Sequence, residues 1–144
     1  MRLELECRGV KLLACDASWI DEALKADKPE SELLVDLRKV TEFAPEQLPS
    51  LKEKGIARVP IPLTAQSWSE QDMDAVRREF LRGKSPVVLL SHGGSRAALM
   101  ALQHVARVER WSAEEALGRC PEVAQDAALK ALLVSYLERH QRQS

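Results

Sequence analysis

A stretch near the middle of the chain brings hydroxyl, imidazole and guanidinium groups together around two glycines. Its residues are Ser91, His92, Gly93, Gly94, Ser95 and Arg96. An arginine offers two parallel N–H donors to a phosphate, a sulfate or a carboxylate. Adjacent glycines let the backbone turn sharply and approach a ligand closely. We call this stretch the 91–96 loop and predict that it binds an oxyanion.

The segments on either side of the 91–96 loop predict the same ligand class. Residues 87–90 are an apolar run after Pro86, which is typical of a strand covered on both faces. Small and apolar residues over 97–102 predict a buried helix that begins at the loop. Free N–H groups and the helix dipole at such an N-terminus favour a bound anion.

Ser91 is the residue of the loop that could act as a nucleophile. A serine hydroxyl stays protonated unless a general base lies beside it. His92 is adjacent in sequence, but neighbouring side chains on a loop usually diverge, so we expect His92 at the rim of the site. Glu42 follows another predicted strand and has two interpretations, as a general acid or as a solvated carboxylate.

The order of these residues resembles the catalytic loop of the protein tyrosine phosphatase-like and rhodanese-like superfamily. It is most similar to a small bacterial phosphatase-like family, also described as sulfurtransferases and found fused to beta-lactamase-like hydrolases. That family has a strand, a Cys, four residues that include a Gly, an Arg and a helix of small residues. Here Ser91 takes the Cys position, Gly94 the Gly position and Arg96 the Arg position. Asp-Leu-Arg at 36–38 and Ile-Pro-Leu at 61–63 also resemble the family.

The resemblance implies a fold of the dual-specificity phosphatase type and catalysis by a cysteine thiolate. This chain lacks the sulfur atom that such catalysis needs. In the family the Cys thiolate attacks phosphorus or sulfur, and Glu42 matches an acid seen on a loop. The 91–96 loop is one residue shorter than the usual phosphatase loop, which favours the rhodanese-sized variant and leaves sulfur transfer open. Leu90 stands where the tyrosine phosphatases have His, which favours a natural loss of the catalytic machinery.

Three interpretations of the function follow. The first is a phosphatase-like domain that binds phosphate, sulfate or a phosphorylated ligand and is degenerate or inactive because Ser91 replaces Cys. The second is an active phosphatase or sulfurtransferase captured as a Cys-to-Ser variant. The third is an interaction module in which the loop is vestigial.

Strand and helix patterns alternate and predict an α/β fold, with a mainly parallel central sheet covered by helices on both faces. Residues 1–144 are predicted to form one domain. Strands are predicted over 2–7, 10–14, 33–37, 56–61 and 87–90. Helices are predicted over 16–26, 45–54, 97–108 and 113–117, after a capping box of Ser67 and Glu70, and from Pro121 to a fraying end. Because such sheets bind ligands at the carboxyl ends of central strands, this topology favours a site at the 91–96 loop.

Composition excludes several other classes. The net charge is −1 and the basic residues are scattered, so nucleic-acid binding is not expected. The three cysteines and three histidines show no ligand spacing, so no metal and no cofactor are expected. The chain has no signal-peptide pattern and no apolar run of membrane-spanning length, which predicts a cytoplasmic protein with reduced thiols. The sequence predicts no particular oligomeric state.

Three further side chains have a structural and a functional interpretation. Arg38 either lines the site or pairs at the surface with Asp36 or Glu42. His104 is predicted to be a core residue rather than a ligand, because apolar residues surround it in the sequence. Trp68 is predicted to pack in the core or to cover the site.

Overall fold

A five-stranded sheet forms the middle of the molecule. The computed structural model describes residues 1–63, 69–82 and 84–141. The strands are β1 (Arg2–Cys7), β2 (Val10–Cys15), β3 (Leu33–Asp36), β4 (Ala57–Pro60) and β5 (Val87–Leu90). Their order is β1-β2-β5-β3-β4, with β1 antiparallel at one edge and all other pairs parallel. The prediction of a mainly parallel sheet is confirmed, and β5 is its central strand.

Helices cover both faces of this sheet, as predicted. They are α1 (Ser18–Lys25), α2 (Gln47–Glu53), α3 (Glu70–Phe80), α4 (Ser95–Glu109), α5 (Ala113–Leu117), α6 (Pro121–Ala124) and α7 (Ala127–Gln141). Val88 and Leu90 of β5 face the cluster that contains Leu51 of α2. Val87 and Leu89 face the larger cluster, to which α3, α4 and α7 contribute. The alternation along β5 explains why its sequence is apolar at every position.

Helix α4 crosses the centre of the larger cluster. Residues 97–106 of this helix are all buried, so it is covered on every side over most of its length. Each large apolar side chain buried there contributes about 1.5–3 kcal/mol relative to an exposed one. The start of α4 is therefore rigidly held, and it fixes the position of the 91–96 loop.

The C-terminal helices differ from the prediction. Instead of one helix from Pro121, the structure has the short α6 and then α7, because the Asp126 carboxylate interrupts the chain by accepting the N–H groups of Ala128 and Leu129. The end of α7 also differs from the predicted fraying, because the helix continues through residue 141. Arg139 and His140 both bond to the Glu70 carboxylate, which joins α7 to α3.

Two predicted features concern residues 64–68. The cap at Ser67 and the placement of Trp68 lie outside the described residues. Within the described part, Ser69 caps α3 by accepting the N–H of Asp72. In the same ranges, no helix is both long enough and apolar enough to cross a bilayer.

Candidate functional site

The 91–96 loop begins where β5 ends, at the carboxyl edge of the sheet, and it runs directly into α4. Two backbone hydrogen bonds hold its first half. The N–H of Ser91 donates to the carbonyl of Cys15, and the N–H of Ala17 donates to the carbonyl of His92, each at 3.2 Å. These bonds anchor the loop to the segment after β2, so its shape does not depend on a ligand.

Gly94 gives the loop its sharp turn into α4. Its φ is +89°, a left-handed conformation that residues with a Cβ rarely adopt. A Cβ at this position would lie 2.7 Å from Sδ of Met1 and 3.3 Å from the backbone nitrogen of Asp16. Glycine is therefore required here both for the backbone angle and for the close approach of another segment.

The loop surrounds a cavity of about 300 Å³, which we call the loop cavity. It is lined by Glu42, Ser91, His92, Gly93, Ser95, Arg96, Asp126, Ala128 and Leu129. Gly94 is not among the lining residues, because it packs behind the loop against Met1. Among the described residues, the backbone N–H groups of 92–96 have no hydrogen-bond acceptor. A row of unpaired amides at a helix N-terminus is an arrangement that binds anions.

Ser91 lies at the base of this cavity. It is 3% exposed, and its Oγ accepts the N–H of Ala97 at 3.2 Å. His92 is exposed and makes no hydrogen bond to Ser91 in the described part of the chain. The structure therefore gives Ser91 a backbone donor that stabilises negative charge on Oγ, but it provides no neighbouring base that would remove the proton.

Arg96 is half-buried at the cavity wall, and its guanidinium has no carboxylate partner among the residues that the structure describes. Among the described residues, its hydrogen-bond partner is the carbonyl of Leu63, at a long distance of 3.4 Å from Nη1. An arginine held in this way keeps most of its five N–H donors available for a ligand.

Arg38 does not line the cavity. It donates Nε and Nη2 to the two carboxylate oxygens of Asp36, each at 2.9 Å. Arg58 donates Nε to the same carboxylate at 2.9 Å, and Phe43 packs against both guanidinium groups. The expected partner Asp36 is correct, but the pair is buried rather than on the surface. Burial opposes ionisation of Asp36, yet the bonds from Arg38 and Arg58 hold its pKa below the ordinary value.

Two carboxylates reach the loop cavity. Glu42, the acid proposed from the sequence, lines it and also accepts the N–H of Lys39 at 2.9 Å. Asp126 was missed in the sequence analysis. Its Oδ1 caps α7, whereas its Oδ2 accepts no hydrogen bond from the described residues. The sequence signal that could have found it was an aspartate directly before an apolar helical repeat, which is a capping pattern.

None of the three thiols substitutes for the missing cysteine. Cys7, Cys15 and Cys120 are buried and unpaired. Cys15 is adjacent to the loop through its carbonyl, but burial raises the pKa of its thiol to about 11. A thiol with this pKa is protonated at neutral pH and is a poor nucleophile.

Comparison with solved structures shows which known folds resemble this one. No family model matches the chain, and no curated protein matches it in sequence. Among solved structures, it is similar to a phosphatase candidate of the DUF442 group from Shewanella putrefaciens CN-32. The TM-score is 0.68 at 13% identity, over 99% of this chain and 91% of the other. A tyrosine phosphatase candidate from Leishmania major gives 0.63 at 16% identity, over 94% and 98%.

A third neighbour was solved with a ligand. It is a Cys-to-Ser variant of TpbA from P. aeruginosa in complex with phosphotyrosine, with a TM-score of 0.55 at 16% identity, over 82% of this chain and 69% of that one. At these identities the likeness concerns the fold alone. The chain has a tyrosine phosphatase-like α/β fold, as the resemblance predicted.

Proposed function

We propose that residues 1–144 form one phosphatase-like domain that binds phosphate or a phosphorylated ligand at the 91–96 loop and lacks thiolate chemistry. The observation that carries this proposal is the loop cavity itself. His92, Gly93, Ser95 and Arg96 line it, their backbone N–H groups have no acceptor among the described residues, and the Arg96 guanidinium has no carboxylate partner there. A tetrahedral oxyanion satisfies such donors better than water does, because charge-assisted hydrogen bonds are shorter and stronger.

The finer assignment is part of the same proposal. We place the chain nearest to the bacterial family found fused to beta-lactamase-like hydrolases, with Ser91 at the position of its cysteine. A neighbour that carries a Cys-to-Ser substitution holds phosphotyrosine, which supports a phosphomonoester as ligand. The unpaired thiols support a reducing compartment such as the cytoplasm.

The test is a thermal melt with and without inorganic phosphate. A ligand that binds the folded state at a hundred times its Kd stabilises it by about 2.7 kcal/mol. We expect phosphate to raise the Tm of the wild-type chain and to have no effect on Arg96→Gln. Arg78→Gln is the matched control, because Arg78 is exposed and lies outside the loop cavity. No shift in the wild-type chain would favour the third interpretation, a vestigial loop.

A second candidate function is an active phosphatase or sulfurtransferase for which Ser91 is a stand-in. It is favoured by the presence of Glu42 and Asp126 at the same cavity, since either could protonate a leaving group. Ser91→Cys is then expected to turn over an aryl phosphate or thiosulfate, and Glu42→Gln and Asp126→Asn in that background identify the acid. Equal high activity of the wild-type chain and Ser91→Cys would refute the proposal that the missing sulfur is what prevents turnover.

A further inference from the structure

A second and larger cavity lies at the opposite end of the sheet from the 91–96 loop. Its volume is about 530 Å³, and it opens between the β1–β2 turn, α3 and the C-terminal part of α4. We call it the arginine cavity, because Arg8, Arg77, Arg107 and Arg110 line it together with His104. These residues come from segments that are far apart in the sequence.

The arginine cavity has a strong excess of positive charge. Among the described residues, no carboxylate lines it and none forms an ion pair with its four arginines. Arg77 donates Nε to Nδ1 of His104 at 3.2 Å, and Arg107 donates to the hydroxyl of Tyr136 at 2.9 Å. Glu109 lies nearby, where its carboxylate is 3.9 Å from Sγ of Cys7, but it is outside the lining. Cations that converge without a counter-charge leave a site for an anion.

His104 supplies an additional donor inside the cavity. It is buried as predicted, with 3% exposure. Because its Nδ1 accepts a bond from Arg77, the proton of the neutral ring is on Nε2. His104 lines the cavity, and its Nε2 has no acceptor in the described ranges. Burial and then the charges of Arg77, Arg107 and Arg8 lower the pKa of His104 to about 4, so the ring stays neutral at physiological pH.

The backbone at the mouth of the cavity is also unusual. Arg8 has φ +51° and Arg110 has φ +60°, and within the described part of the chain they are the non-glycine residues with positive φ. Both are exposed and line the cavity. A left-handed conformation costs free energy for any residue with a Cβ. Glycine would suit either turn better, so the arginines are not explained by the turns themselves.

The rest of the lining is apolar. Leu12 and Phe80 form the inner wall, and Val10, Leu81 and Val108 lie towards the mouth. Leu81 is 66% exposed, which is unusual for a large apolar side chain. A ligand that satisfies both parts of the lining has a charged end and an apolar body.

We propose that the arginine cavity is a second binding site, which takes a small organic dianion with an apolar body. The anionic end lies among the four arginines and Nε2 of His104, and the apolar body lies against Phe80 and Leu81. This site is independent of the 91–96 loop, since the two lie at opposite ends of the parallel strands.

The test is calorimetric titration with naphthyl phosphate, a dianion with an aromatic body. Arg96→Gln is used as the parent, so that the loop cavity does not contribute. We expect the parent to bind one equivalent. Arg8→Gly combined with Arg110→Gly weakens binding by roughly a hundredfold, about tenfold for each charged donor removed. Without ligand, the double variant melts at the same temperature as the parent or higher, because glycine suits a positive φ.

Two controls sharpen this test. Arg78→Gln removes a charge from an exposed position on α3 outside the cavity, and it is expected to change affinity by less than about twofold in physiological salt. Inorganic phosphate lacks an apolar body and is expected to give no detectable binding to the parent. The proposal is overturned if the parent does not bind naphthyl phosphate, if the double glycine variant binds it equally well, or if inorganic phosphate binds as tightly. A failure of the 91–96 loop shows instead in the phosphate melt of the wild-type chain.

Discussion

Two groups of arginines lie side by side at the carboxyl edge of the sheet, and they are used in opposite ways. Asp36 pairs in register with Leu90, the residue directly before the 91–96 loop. In the first group, Arg38 and Arg58 enclose the buried carboxylate of Asp36. In the second, Arg96 has no carboxylate partner in the described part of the chain and lines a cavity.

The difference separates a structural role of arginine from a ligand-binding role. A guanidinium that already holds a buried carboxylate has its donors satisfied, so it contributes to the stability of the strand ends. A guanidinium beside unpaired amides has donors left for an anion from solution. The same distinction applies to the arginine cavity, where four guanidinium groups have no carboxylate partner in the described ranges.

The largest effect is expected from breaking the first group. Asp36→Asn keeps the shape of the side chain but leaves Arg38 and Arg58 without their counter-charge. Removing one partner from a buried ion pair costs about 3–5 kcal/mol, because an uncompensated charge stays in the protein. We expect a loss of that size in the free energy of unfolding, measured by urea denaturation.

The control for this variant is Asp74→Asn, because Asp74 is exposed on α3 and does not contact the network of Asp36, Arg38 and Arg58. It is expected to change stability by less than about 0.5 kcal/mol. If Asp36→Asn cost no more than this control, the network would not stabilise the fold. Folded Asp36→Asn should still be stabilised by phosphate, since Arg96 is untouched.

The two groups were not equally visible in the sequence. The 91–96 loop is continuous, so its glycines, its arginine and the helix after it could be interpreted together from local patterns. The network of Asp36 was seen in part, as a strand that ends in Asp-Leu-Arg. Its third member, Arg58, comes from β4 and joins only through the parallel pairing of β3 with β4. Periodicity alone does not show that pairing.

The features that the sequence did not predict elsewhere also depend on contacts between segments that are distant in the sequence. Asp126 reaches the loop cavity because α6 ends early and α7 begins beside the loop, and both depend on packing against α4. The arginine cavity joins a turn, two helices and a helix end. Its residues appeared in the sequence as scattered charges, and only the fold shows that they converge. Strand positions and the overall fold class depend on local pattern, and these were predicted correctly.

Stability measured as a function of pH separates the contribution of His104, in the arginine cavity, from that of Asp36, which Arg38 and Arg58 enclose. Burial and the neighbouring arginines lower the pKa of His104 from 6.5 to about 4. The unfolded chain therefore binds a proton at His104 first as the pH falls. Stability is full above about pH 6.5, and about 3 kcal/mol is lost between pH 6.5 and 4. The contribution of Asp36, whose pKa is lowered, is present above pH 4 and is lost only below it.

Chemical denaturation at a series of pH values checks this separation. His104→Gln is expected to flatten the loss between pH 6.5 and 4 while the loss below pH 4 remains. The quantity measured is the slope of the free energy of unfolding against pH. A cost of the substitution that is the same at every pH therefore does not affect the result. An unchanged slope in this variant would mean that other groups cause the acid sensitivity and that burial and the arginines do not lower the pKa of His104.

The smallest effect concerns the two adjacent glycines of the loop, which give a matched pair. At Gly94, alanine must adopt φ +89°, and its Cβ would meet the backbone nitrogen of Asp16 at 3.3 Å. We expect Gly94→Ala to lower the free energy of unfolding by about 1–2 kcal/mol. Gly93 has open space at its Cβ position and no positive φ, so Gly93→Ala should cost less than about 0.5 kcal/mol. Because Gly93 lines the loop cavity, the added methyl group of Gly93→Ala should weaken the stabilisation by phosphate. Equal losses of stability in the two variants would show that Gly94 is not what holds the loop in shape.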